Sequence, residues 1–274
     1  MITVRTLASG SSGNMTLIRS DRSTIVLDVG VRSQRRTLEL LGEAGVGLDS
    51  LDAAIVSHSH TDHLGRPGLK LCVEAGVPLM AGRHTIEAAV RLHPWNGNNG
   101  RVTDAFVTIR PKDTYLVGDI EVTPFEVAHD VPTFGFVFEK RGPGGGRVAV
   151  ATDLGHAPDE LLPWFTDADV ILLEANYDEG MLRVSPRSHR DKARVASGVG
   201  HLSNLQAGRF LARAAAAGMK LPSYVVLVHL SRDHNRPEVA VDDVSTYLDP
   251  GRGHPPDVAA APPDRPGPII EVDK

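Results

Sequence analysis

Cysteine is nearly missing from this chain. The single one, Cys72, excludes an intramolecular disulfide framework, and its neighbours in LKLCVEAGV mark it as a small core residue rather than a nucleophile. Any metal held here must therefore rest on nitrogen and oxygen. Long apolar runs are missing too. None approaches the length of about 20 residues that spans a bilayer, and the opening MITVRTLASGSSGN lacks the apolar segment of a secretory signal. The expectation is a cytoplasmic protein with no membrane partner. No charge of one sign dominates: 29 Lys and Arg stand against 34 Asp and Glu, a formal net charge of −5. Such a balance exerts no global pull on nucleic acid, so any polyanion must be held locally. There is no internal repeat at a solenoid period and no linker between domains. What remains is 274 residues with 41% hydrophobic content, ample for a substantial core.

The stretch Ala53 to Gly65, AAIVSHSHTDHLG, organises the rest. An apolar run delivers His58, His60, Asp62 and His63 within six positions. Imidazole nitrogen and carboxylate oxygen are ligands that divalent transition metals accept, and one ion could hardly take all four from so short a loop. Two ions are implied. In an extended segment His58 and His60 would share one side while Asp62 and His63 diverge, one pair per metal. A histidine tag is the bland alternative, but a tag has no interleaved aspartate and no buried strand feeding it.

Other apolar, strand-like runs also end in a residue able to bind metal or move a proton. TIVL ends at Asp28, EVTPFEVA at His129, RVAVAT at Asp153, DVILL at Glu174 and YVVLV at His229. In open α/β sheets ligand sites lie at the carboxyl ends of strands, where many strands can aim at one point. A core histidine could explain one such position, but not the set. Helices are expected over Gln34 to Glu43, Arg66 to Gly76, Thr85 to Leu92, Asp159 to Phe165, Arg187 to Ala196, Ser203 to Ala217 and Glu238 to Leu248. The turn SGSSGN, Ser9 to Asn14, has backbone amides that could face an anion, yet it lacks the lysine and spacing of a P-loop. HPWNGNNG, from His93, reads as an exposed loop near the site. Arg183, Arg187, Arg190, Lys192 and Arg194 form a basic segment that charge alone assigns to a solvated helix face. Residues 1–248 read as one domain, and the Pro/Gly-rich residues 249–274 as a poorly packed tail.

These residues resemble the metallo-β-lactamase-fold hydrolases: SHSHTDH is similar to their HxHxDH motif, and Asp28, His129, Asp153 and His229 follow at the expected strand ends. LASGSSGN, TDLGH, LLEANYD, GHLSN and HLSRDHNRPE resemble, more narrowly, the YycJ/WalJ branch, which is associated with DNA exonuclease activity. The resemblance implies an α/β chain folded as an αββα four-layer sandwich. It implies His58, His60 and His129 on one metal, Asp62, His63 and His229 on the other, and Asp153 between them. Zn, Mn or Fe would suit such a site. Two ions about 3.5–4 Å apart can share and activate a water for attack on phosphorus.

Asp62, His201 and Glu174 are the candidate catalytic residues. By the same resemblance His201 would contact substrate phosphate and Glu174 would pair with it, favouring the protonated ring. Asp28 would orient a loop or ligand from behind. Ser203, Asn204 and His234 are the candidate substrate contacts, while His156 has no assigned role. The implied activity is a binuclear phosphodiesterase on nucleic acid, DNA first, with an exonuclease-like mode. The rivals are hydrolysis of a small phosphodiester, lactone or thioester, and a non-catalytic metal-stabilised binding protein. Oligomeric state is left open, a homodimer included.

Overall fold

Alternating burial along the first strand sets the architecture: Ile2 and Val4 are buried while Thr3 and Arg5 are half-exposed. Strands of this kind bury one face against a partner sheet, and strands buried on both faces need helices outside. Both kinds occur. The computed structural model describes residues 1–92, 99–248 and 255–272. The first sheet contains β1 (Ile2–Ala8), β2 (Met15–Ser20), β3 (Thr24–Leu27), β4 (Ala53–Val56), β5 (Leu79–Ala81) and β6 (Phe106–Thr108). The second contains β7 (Tyr115–Val117), β8 (Ile120–Val127), β9 (Thr133–Lys140), β10 (Gly146–Ala151), β11 (Val170–Glu174), β12 (Tyr224–Val228) and β13 (Asp257–Ala260). β14 (Ile270–Val272) returns to the first sheet beside β1, giving the orders β14-β1-β2-β3-β4-β5-β6 and β13-β12-β11-β10-β9-β8-β7.

Three apolar layers hold the sheets and helices together. Between the sheets lie Ile18, Ile25, Ile55, Phe136, Phe138, Val148 and Leu172. Outside the first sheet pack α1 (Gln34–Glu43), α2 (Arg66–Ala75), α3 (Arg83–Leu92) and α4 (Asn99–Asp104), through Leu40, Leu69, Cys72, Ala89 and Val102. Outside the second pack α5 (Leu162–Phe165), α8 (Asn204–Ala216) and α9 (Pro237–Ser245), through Phe165, Phe210, Leu211 and Val244. Each fully buried large apolar side chain contributes about 1.5–3 kcal/mol. This is the αββα sandwich. Cys72 sits in the outer layer at 2% exposure, and burial pushes its thiol up to about 12, so it is inert core. Among the described residues no helix is long and apolar enough to cross a membrane.

Both sheets switch from antiparallel to parallel pairing midway: β3 to β6 run parallel, as do β10 to β13. β8 and β10 each pair antiparallel with β9 and so share a direction. The carboxyl ends of β3, β4, β8, β10, β11 and β12 are thereby available for one site.

Several elements differ from the sequence reading. The chain after Asp249 is not a loose tail over its described part. Asp257 to Ala260 extend the second sheet parallel to β12, and Ile270 to Val272 cap the first antiparallel to β1. Pro and Gly dominate the composition there, but short edge strands tolerate both, because only one side of an edge strand must form a ladder. β6 and the two short helices α6 (Glu179–Val184) and α7 (His189–Val195) are too brief to show a period; of these only α7 was anticipated. The expected HPWNGNNG loop lies mostly outside the described residues, its last two residues opening α4.

Candidate metal centre

The cluster begins where β4 ends. Ser57 leaves the strand with its backbone N–H donating to Asp28 Oδ1 at 2.8 Å, and the chain then turns, His63 and Leu64 both donating backbone N–H groups to the His60 carbonyl. His58 to His63 is therefore a turn and not the extended segment expected. The turn produces the same partition that alternation would have given. It also demands a glycine: a Cβ on Gly30 would lie 1.7 Å from the Asp62 carbonyl oxygen.

Three ring nitrogens converge on one side. His58 Nε2 lies 3.1 Å from His60 Nδ1, and His129 Nε2 lies 3.3 Å from the same atom. The edge of a tetrahedron with metal–nitrogen bonds of 2.0–2.1 Å is about 3.3–3.4 Å, so the three rings are spaced as ligands of one ion. On the other side Asp62 Oδ2 stands 3.9 Å from His63 Nε2 and 3.4 Å from His229 Nε2. Asp153 reaches both groups, with Oδ2 3.0 Å from His63 Nε2 and Oδ1 3.8 Å from His129 Nε2. Its buried Oδ2 faces the His63 ring without a well-aligned hydrogen bond. An orphaned buried carboxylate oxygen among imidazoles is what a cation would satisfy, and the residues present fit a pair of divalent ions.

Each inward-facing ring is held from behind by an oxygen on its other nitrogen, as metal-ligating histidines are. Asp28 Oδ2 takes His63 Nδ1 at 2.7 Å and Ser57 Oγ meets His58 Nδ1 at 3.0 Å, while Asp130 Oδ1 lies 3.3 Å from both His60 Nε2 and the inward His129 Nε2. His129 Nδ1 donates to the Gly200 carbonyl at 3.0 Å, and His229 Nδ1 meets Glu174 Oε1 at 2.9 Å. Asp28 and His229 both occupy the left-handed region, with φ of 63° and 58°. For residues other than glycine that costs of order 1–3 kcal/mol each and survives only where the surroundings over-determine it.

Glu174 is the common support. Its Oε1 contacts His229 and, at 2.7 Å, His201 Nδ1, while its Oε2 accepts the backbone N–H groups of Leu154 and Leu202 at 2.9 and 3.1 Å. Burial would lower the His201 imidazole, but the Glu174 charge outweighs it and holds the ring above its ordinary value. The same contest runs through the cluster. Burial drives His58 well below the ordinary imidazole range and lowers His60. Burial opposes a charge on His63 and His229 as well, yet Asp153 with Asp28 raises the first well above its ordinary value, and Asp153, Asp62 and Glu174 lift the second to about 10. Against burial, the His229 hydrogen bond holds Asp62 at about 2.

Three expected substrate contacts are turned elsewhere. Ser203 is fully buried, capping α8 and donating to Glu179 Oε1 at 3.1 Å. Asn204 is spent on Asn235 and Asp243, and His234 on Ser185. GHLSN and HNRP are thus a fastening between α8 and the loop after β12, which motif position alone does not reveal. His156 is exposed, with Nδ1 on the Gly198 carbonyl at 2.7 Å. The basic segment runs over exposed α6 and α7 and the bend between them, where Arg187 pairs with Asp233. The sequence reading missed Ser9, whose Oγ accepts the His229 N–H at 2.8 Å, Asn14, whose Nδ2 lies 2.9 Å from His63 Nε2, and Asp130. The SGSSGN turn was the available signal.

Known proteins resemble this chain in sequence and in fold. A profile of the Beta-lactamase superfamily domain matches residues 24–230. Exodeoxyribonuclease YycJ of Bacillus anthracis is 29% identical over 249 residues, covering 89% of this chain and 88% of that protein. Exodeoxyribonuclease WalJ of Streptococcus pneumoniae serotype 2 is 31% identical over 237 residues, covering 85% and 83%. The crystal structure of the metallo-beta-lactamase fold protein YhfI from Bacillus subtilis superposes with a TM-score of 0.72 at 18% identity, covering 99% of this chain and 100% of that one. With its strand-end donors, its sandwich and these relatives, the chain belongs to the beta-lactamase superfamily and is a metal-dependent hydrolase of the metallo-β-lactamase fold.

Proposed function

We propose that the protein is a binuclear phosphodiesterase acting on nucleic acid, DNA first, in an exonuclease-like mode. One observation carries the reading: a buried carboxylate, Asp153, stands between two triads of ligand atoms, with the His201–Glu174 pair beside it. His58, His60 and His129 would hold one ion, Asp62, His63 and His229 the other, and Asp153 would reach both. Imidazole and carboxylate donors suit zinc, manganese or iron. Bound there, two divalent ions supply an activated water and electrophilic charge for in-line displacement at phosphorus.

The chain's own groups supply the rest. His201, whose ring Glu174 holds above its ordinary value, would present its N–H to a phosphate oxygen and, in its protonated form, could deliver a proton to the departing oxygen. Glu174 fixes that ring through Nδ1, leaving Nε2 for substrate. Acyl hydrolysis has no evident need of this pair, which favours phosphodiesters over lactones and thioesters. The exodeoxyribonuclease names of the two relatives support a DNA substrate. End-labelled single-stranded and duplex DNA incubated with metal-loaded protein tests the reading: chelator-sensitive shortening is expected, absent from His58→Ala. Turnover of lactones or thioesters faster than of bis-nitrophenyl phosphate, with intact DNA, would overturn it.

A further inference from the structure

The glycine-rich turn Ser9 to Asn14 has two sides. Ser9 and Asn14 touch His229 and His63 within the cluster. Ser9, Ser12 and Gly13 also line two adjoining cavities of about 260 Å³ each, which share Arg232 and Pro263 as a common wall. Arg236 lines one cavity and Arg32 the other. On a chain of net charge −5 this concentration of guanidinium groups is local.

Their partners show how much of that charge is uncommitted. Arg36, at the far end, is held by Glu39 and Glu43 and does not count. Arg232 Nη2 donates to Ser12 Oγ at 3.2 Å and stands 3.5 Å from Asp264 Oδ2, both partners exposed. Arg32 bonds only the Ser11 carbonyl, at 2.9 Å, and Arg236 only the carbonyls of Arg232 and Asn235, at 2.9 and 2.6 Å. Backbone carbonyls orient a guanidinium without neutralising it. Among the described residues neither Arg32 nor Arg236 forms an ion pair, Asp233 acting on Arg236 only at a distance, and both are exposed.

We propose that these arginines form a track for the phosphodiester backbone of a nucleic-acid strand, which crosses the Ser9–Asn14 turn on its way to or from the metal centre. Arg232 stands at the crossing, with Arg32 and Arg236 to either side. Guanidinium forks suit phosphate oxygens, and Leu230, Pro237 and Pro263 provide apolar surface for sugar or base. The track explains how a polyanion is held by an acidic protein, and it contacts backbone rather than bases, so it confers no sequence preference. The inference rests on the nucleic-acid reading above and deepens it.

Fluorescence anisotropy of a short, cleavage-resistant phosphorothioate DNA strand, titrated with metal-loaded full-length protein across a salt series, tests the track, with RNA of the same sequence as a second arm. Neutralising three phosphates steepens the log–log salt dependence of single-strand binding by about 2. R32A/R232A/R236A should therefore bind about tenfold more weakly and with a slope shallower by about 2. It should hydrolyse bis-nitrophenyl phosphate at the wild-type rate. R141A, in the hairpin between β9 and β10 at the end of the strands away from the metal centre, should match wild type in all respects. Should the triple variant fold poorly, R32E and R236E singly carry the same test, each weakening binding more than R141E. Unchanged affinity and slope in the arginine variants would overturn the track while leaving the nuclease reading in place. Failure of wild-type protein to bind or cleave either strand, with bis-nitrophenyl phosphate still hydrolysed, would remove that reading and the track together. Loss in the DNA arm alone or in both arms fixes which backbone it serves.

Discussion

His201 is where the proposed function would separate binding metal from using it. Its ring touches Glu174, and its Nδ1 also lies 3.7 Å from Asp153 Oδ1, but it belongs to neither triad proposed to hold an ion. His201→Ala should lower kcat on DNA by about 10²- to 10⁴-fold while the metal content, measured by atomic emission on the purified protein, stays unchanged. Glu174→Gln should act more broadly, because the same oxygen also holds His229 Nδ1: kcat falls and the ion bound by Asp62, His63 and His229 is lost on dialysis. A Glu174→Gln protein with full metal content and full activity would refute this division of labour. His229 also sets a pH dependence. In the metal-free protein its pKa stands at about 10 against an ordinary 6.5. Its pairing with carboxylates therefore stabilises the metal-free fold fully below pH 6.5, and that contribution is lost as pH rises toward 10. Metal must displace the proton, so titrating zinc into weakly buffered protein at neutral pH should release protons, and affinity should fall with falling pH. The cluster of candidate ligands was legible because metal chemistry restricts the residue types and strand ends restrict the places. Ser203, Asn204 and His234 misled because they are polar, near the motif and in a motif-like string, whereas their burial depends on α8 packing against the loop after β12, which no local spacing records.

Among the elements, the turn between β4 and α2 places four donors in six residues, and the backbone of Gly30 makes room for it. Gly30→Ala would drive a Cβ into the Asp62 carbonyl. The cost is about 3 kcal/mol, a fall of about 5 °C in melting temperature. Metal affinity should fall with it, as a calorimetric scan with and without added zinc can show. Strands with clear alternation, such as β1 and β8, were readable at once, as were helices with caps, such as α8 with its Ser203–Gln206 capping box. β6, β13 and β14 were not, because they are short and only partly apolar, the last two amid Pro and Gly, and their order comes from the ladder they join. That point is testable. A chain ending at Leu248 loses β13 and β14 together with the buried Ala261 and Val272, and exposes the edges of β12 and β1. It should melt lower than the full chain and aggregate. Equal melting temperature and monodispersity would mean the last segment is dispensable to the fold.

At the scale of the molecule, two sheets that each turn parallel midway bring six strand ends to one place, so residues 28, 58, 129, 153, 174 and 229 meet despite a separation of about two hundred positions. The layers were implied by the resemblance and the convergence was expected from the strand-end pattern; the distances and the supporting contacts needed coordinates. The account stands on that convergence holding two ions. Anomalous diffraction from crystals of the metal-loaded protein tests it directly. Two peaks per chain are expected, one among His58, His60 and His129 and one among Asp62, His63 and His229, with an Asp153 oxygen at coordinating distance from each. A single peak, or metal bound away from Asp153, would contradict it.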